Sequence, residues 1–213
     1  MNCQCPAAAS LVTIPAVQCS ESFGQIQKVA FMRLRNGEGG KNSFTSESSI
    51  LLKASWTPKL AADDSTKIVV SPYIEAPTSE PGGPRTFGGG NETLGGIEIV
   101  IGSEPTSFSA VIRRVPQEVI KAMKELQCEA AANNLGVFLF NENGQIEAIA
   151  DPAAEGTYYP IPIHSLFVSD KGHGGYENPD SNNIQWSFAP NYSDNLKIVT
   201  PTDFNPLVDL VNA

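Results

Sequence analysis

The sequence predicts a mainly β protein: a β-sandwich or barrel of two packed sheets, with one flanking helix at about 116–132 and a long β-hairpin arm. Three observations carry this. Short runs of alternating apolar residues recur along the chain, as in IEIVI (97–101) and IQWSF (184–188). Glycine (18) and proline (16) are abundant in the 213 residues, which favours many turns over long helices. Only one segment, PQEVIKAMKELQCEAAAN, carries a sustained helical stripe, with Val119, Met123, Leu126 and Ala130 on one side.

Residues 1–22 read as an extended arm of small residues with Pro6 and Pro15; the apolar piece Leu11 to Ile14 is able to add to a strand edge. The remainder, 23–213, reads as a single domain. Its first strong element is QIQKVAFMRLR (25–35). Ala30, Met32 and Leu34 share one face and Val29 and Phe31 the other, so the strand is expected to be covered on both sides. A polar glycine-bearing loop follows, then a short helix near 55–62, with Pro58 in its first turn.

The strand KIVVSPYI (67–74), placed at an edge by Pro72, leads into residues 75–96. That stretch holds seven glycines and three prolines and reads as a long loop joining 67–74 to the strand 97–101. Connections beyond about 12–15 residues are usually functional or disordered. Beyond it come a strand at 108–115, the helix, and a hairpin at 136–150 turning at Asn143-Gly144, where a type I′ turn is expected. Further strands fall at 158–168, interrupted by Pro160 and Pro162, at 184–188 and near 196–199. Trp186 alternates with Ile184 and Phe188, which places it in the core.

Charge and motifs exclude more than they identify. The formal net charge is −9, and residues 141–213 hold ten acids against Lys171 and Lys197 alone. Such a surface does not suit gripping a nucleic-acid backbone, which needs clustered Lys and Arg. No apolar region follows Met1 and no run reaches the ~20 apolar residues of a membrane span, so neither a signal peptide nor a membrane segment is expected. Cys3, Cys5, Cys19 and Cys128 are expected as free thiols, because C-x-C without nearby histidine is not zinc spacing. The glycine run 88–90 precedes a strand and lacks the Lys-Ser/Thr of a phosphate loop. His164 and His173, with Asp170 and Asp180, are a thin basis for metal or acid–base chemistry. No catalytic, cofactor-binding or metal-binding residues are expected, and no cofactor. The N-terminal arm, the glycine–proline stretch and 169–183 are too polar to pack a core and suit an assembly in which loops order against neighbours.

The segments SESFGQIQKVAFMRL (20–34), SWTPKLAADDSTKIVVSP (55–72) and PDSNNIQWSFAPNYSDN (179–195) resemble the tail-tube (major tail) proteins of tailed phages infecting Bacteroides-like bacteria. The resemblance covers most of the chain. It implies two packed sheets with a flanking helix and hairpin arms, and a homo-oligomer of hexameric rings stacked around a lumen through which DNA passes as non-specific cargo. It further implies other tail proteins as partners, and assembly in the host cytoplasm into the virion tail. Within it, the 75–96 stretch becomes an inter-subunit arm with Pro81, Arg85, Phe87 and Asn91 as contact residues, and Glu142, Glu147 and Asp151 become candidates for an acidic lumen. The cysteine-bearing N-terminal arm is not part of the general tail-tube pattern. A head–tail connector, tail terminator or capsid decoration protein is the alternative among virion proteins. A carbohydrate-binding sandwich using Trp56, Trp186 or Tyr158-Tyr159 is the alternative outside them.

Overall fold

A computed structural model describes residues 13–17 and 21–212. The described elements are β1 (Ile26–Arg33), α1 (Lys53–Leu60), β2 (Ile68–Val70), β3 (Glu75–Glu80), β4 (Pro84–Gly88), β5 (Glu98–Ser103), β6 (Thr106–Arg113), α2 (Gln117–Ala131), β7 (Leu135–Asn141), β8 (Ile146–Ala150), β9 (Tyr158–Tyr159), β10 (Ile161–Val168), β11 (Ser181–Phe188), β12 (Leu196–Val199) and α3 (Pro206–Asp209). The chain divides into two compact units: residues 1–22 with 83–104, and residues 23–82 with 105–213. Most of the predicted N-terminal arm, including Leu11, Cys3, Cys5 and Cys19, lies outside the described residues.

The larger unit is built on one antiparallel ten-stranded sheet, so its two layers are parts of a continuous sheet. β1 and β7 pair along their whole length, Ile26↔Asn141 to Arg33↔Leu135. Both faces of this pair are buried, as the sequence pattern requires. Val29, Phe31, Val137 and Leu139 enter one core with α2, β6, β10 and β11. Ala30, Met32, Phe138 and Phe140 enter a second core with α1, β8 and the C-terminal residues Leu207 and Leu210. Trp56 is fully buried at the centre of the second core, its ring 4.6 Å from Phe44 and 5.4 Å from Phe138, and its indole N–H donates to Ile50 O at 2.9 Å.

The sheet curls on itself at a corner that the sequence does not reveal. Of the predicted strand 67–74 only Ile68–Val70 is a strand, β2, which pairs with β1; the next strand, β3, begins at Glu75 and pairs with β6. Between them, Ser71 N–H donates to Val29 O (2.8 Å), and Val29 N–H donates to the Ser71 hydroxyl (3.0 Å). Pro72 follows with no N–H to offer, and Ile74 N–H donates to Gln27 O (2.9 Å). The N–H groups of the buried Ser71 and Ile74 thus stay paired while the chain changes partner. A bulge between Glu75 and Thr78, with Ala76 at φ 47°, re-aims β3 onto β6. Across the interior, Phe31 meets Trp186 edge-on at 6.1 Å, and Trp186 stacks on Phe108 at 4.1 Å.

Two local expectations are corrected. Pro58 lies within α1 rather than in its first turn, because the helix begins earlier, where the Asp203 carboxylate accepts from Lys53 N–H at 2.9 Å. The turn at Asn143-Gly144 is not type I′. Only Gly144 has positive φ (73°), the geometry of a three-residue loop closed by a left-handed glycine. The fully buried Asn141 side chain dictates this choice. Its Oδ1 accepts from Asn143 N–H (3.0 Å) and Gln145 N–H (2.8 Å), and its Nδ2 donates to Phe23 O and to Gln145 Oε1 (2.7 Å). Asn141→Ala is therefore expected to lower stability by about 1–3 kcal/mol, since the backbone groups it serves lose their partner. Urea denaturation of the purified variant measures this.

Candidate functional site

The 75–96 stretch is not a loop. Its first third is β3, and the rest belongs to a separate two-stranded sheet in which β4 pairs with β5, Pro84↔Ser103 through Gly88↔Glu98. The partner of the IEIVI strand is thus the segment immediately before it, not residues 67–74. Gly83 O accepts from Glu104 N–H at 2.8 Å and closes the base of this hairpin.

The glycines serve a folded tip. Thr93 Oγ1 accepts from Gly89 N–H (3.0 Å) and donates to Ile97 O (2.6 Å), and Gly96 N–H donates to Thr93 O (3.0 Å). Gly88, at φ 91°, lies so close to Thr93 that a Cβ there would stand 2.0 Å from the threonine methyl. Glycine is required there twice, by backbone geometry and by space.

The hairpin carries a run of exposed apolar side chains, among them Val100 at 59% exposure. Phe87 and Ile99 are paired across it, Ile97 immediately precedes β5, and Ile101 sits at the register shift between the Thr86 and Arg85 pairs. Their exposures are 55%, 54%, 68% and 57%, and Leu94 at the tip is 99% exposed. An isolated two-stranded hairpin is marginal in water at best. An exposed apolar run of this kind is the ordinary mark of a protein-binding surface.

Of the predicted contact residues, Arg85 and Phe87 lie on β4, Asn91 lies at the tip, and Pro81 lies in the connection after β3; all four are exposed. Sequence reasoning did not assign Leu94, Ile97, Ile99 and Ile101 to the contact surface. The alternation of IEIVI is the available signal, and it identifies a strand without showing what its apolar side chains pack against.

The three predicted acidic residues cluster along the β7–β8 hairpin but differ in availability. Glu142 is exposed at the turn, with its N–H bonded to Gln25 O (2.9 Å). Glu147 is half-buried on β8, between Ile146 and Ala148 of the second core. Asp151 is engaged: its carboxylate accepts from Ala153 N–H (2.8 Å) and the Tyr159 hydroxyl (3.0 Å). The Ala153 bond first, then the Tyr159 bond and the charge of Lys41, hold its pKa below the usual carboxylate value. Because the folded-state pKa is the lower one, this stabilisation is complete above the ordinary aspartate range and fades as pH falls below about 4.

The two histidines are apart in role. His164 Nδ1 lies 2.8 Å from Asn133 Oδ1, and His173 Nδ1 lies 3.3 Å from Asp180 Oδ2 at the exposed surface. No group of three or more His, Cys, Asp or Glu side chains able to hold a metal occurs among the described residues. Trp56 and Trp186 are 0% and 2% exposed, which removes both as sugar-stacking platforms. No helix among the described residues is long and apolar enough to cross a membrane.

No family model matches the chain, and no curated protein matches it. Among solved structures, it is similar to a chain from the tail of an empty GTA particle with C6 symmetry, at 12% identity and TM-score 0.33, covering 60% of this chain and 82% of the other. It is also similar to a chain from the six-fold symmetrised baseplate of the anti-feeding prophage, at 8% identity and TM-score 0.32, covering 89% and 98%.

Proposed function

We propose that this chain is a non-enzymatic structural subunit of a phage-like tail, the tail-tube protein, which assembles with itself into stacked hexameric rings around a DNA conduit. The observation that carries the reading is the run of exposed apolar side chains on the β4–β5 hairpin. Phe87, Ile99 and Ile101 are each a little over half exposed, so burying the remainder against a neighbouring copy contributes about 1–1.5 kcal/mol each before association costs. The sequence resemblance to tail-tube proteins supplies the assembly type.

In this reading the acidic C-terminal third faces or flanks the conduit, where carboxylates keep passing phosphates from adhering. Glu142, exposed and at a turn, is the foremost lining residue; Asp151 is committed to its own loop. Electron microscopy of the purified chain tests the assembly directly, and stacked rings or tubes are the expected result.

A further inference from the structure

We propose that the groove between β2 and α2 docks an extended segment of a different protein, one carrying alternating apolar side chains flanked by Lys or Arg. The proposal concerns the larger unit alone and does not rest on the tail-tube reading. The groove encloses about 910 Å³. Val69 stands on its strand side, with Val119, Met123 and Leu126 on its helix side. The apolar stripe of α2 is wider than the core it covers: Ile120, Met123 and Ala130 are buried, whereas Val119 and Leu126 are only half-buried and line the groove.

The strand wall has one side that no strand pairs with, although the chain's own Asn212 occupies it at Val70, and an added strand that pairs there displaces Asn212. β2 pairs with β1 alone. On its other side the Asn212 side-chain amide exchanges two hydrogen bonds with Val70, accepting from its N–H at 2.7 Å and donating to its O at 2.8 Å. A primary amide offers the same donor and acceptor as a peptide group, so Asn212 stands where one residue of an added strand would stand. Strand addition draws affinity from such backbone bonds and specificity from alternate side chains in pockets.

Charge selects the occupant. The groove is bordered by five carboxylates and two bases, and the bases are already engaged, Arg33 with Glu129 and Lys67 with Asp63. Glu118 and Glu125 are exposed and have no ion-pair partner among the described residues. The N-terminal and hairpin segments of a second copy do not supply the complement. Residues 1–20 contain no Asp, Glu, Lys or Arg, and residues 83–104 carry Arg85 against Glu92, Glu98 and Glu104. A basic, apolar strand from another protein does.

The test titrates the purified full-length chain into a fluorescent capped peptide, KVTVTVK, with EVTVTVE as the control. Saturable binding of the basic peptide is expected, at least about tenfold tighter than the acidic one, weakening as salt is raised. Hydrogen exchange is expected to slow in 66–72 and 118–129 on binding. Both glutamates are exposed, so the double variant Glu118→Lys/Glu125→Lys keeps the fold, and it is expected to reverse the preference between the peptides. Absence of saturable binding, equal binding of the two peptides, unchanged preference in the double variant, or protection confined to other segments overturns the proposal.

Discussion

Deleting Pro84–Ser103 and joining Gly83 to Glu104 through a short glycine-containing turn is expected to leave a folded chain that no longer assembles. The base of the hairpin makes this cut possible, because Gly83 O and Glu104 N are already hydrogen-bonded at 2.8 Å. No residue of β4 or β5 belongs to either core. Both cores of the larger unit are therefore kept whole, and its thermal midpoint should move by only a few degrees, the response to about 1 kcal/mol or less. Assembly should respond in the opposite way, since the deletion removes Phe87, Leu94, Ile97, Ile99 and Ile101 together. Circular dichroism melts and sedimentation velocity on the same preparation separate the two effects. A shortened chain that still sediments as large particles would return the hairpin to a passive excursion.

Trp56→Ala is expected to have the largest effect on folding. The indole touches Phe44, Phe138, Phe140 and Phe204, and its N–H satisfies the Ile50 carbonyl. Truncating a buried tryptophan costs about 3–5 kcal/mol through lost burial and the cavity left behind. Leaving a buried carbonyl without its donor adds to this. Against a typical domain stability of about 5–15 kcal/mol, the loss is a large fraction of the total. Trp56→Phe keeps an aromatic ring but removes the donor, and should cost about 1–3 kcal/mol from the unsatisfied carbonyl. Urea denaturation monitored by far-ultraviolet circular dichroism gives both numbers. A loss below about 1 kcal/mol for Trp56→Ala would mean that the second core does not unfold with the first.

What was legible in the sequence is what local pattern alone determines. The doubly apolar run around Phe31 announced a strand covered on both faces, because Val29 and Ala30 cannot both be buried on a one-sided sheet. The stripe of α2 fixed that helix within one residue at each end, Gln117–Ala131 against 116–132. Trp186 took its core position by alternation with Ile184 and Phe188.

The corner at Ser71–Ile74 was not legible, because it depends on a partner far along the chain. β3, EAPTSE, has no apolar face of its own and becomes a strand only by pairing with β6. The same holds for the hairpin. Glycines and prolines in 75–96 masked the β4–β5 pairing, because the left-handed glycines that end a strand in one context build a folded tip in another. The groove beside α2 was invisible for a different reason. A helical stripe shows which residues are apolar, not how many of them the rest of the fold covers.

The central claim is self-assembly, and electron microscopy of the purified full-length chain beside the Pro84–Ser103 deletion tests it most directly. The account predicts stacked rings or tubes for the full-length chain and dispersed single particles for the deletion. A full-length chain that stays monomeric at every concentration and salt condition tried would contradict it.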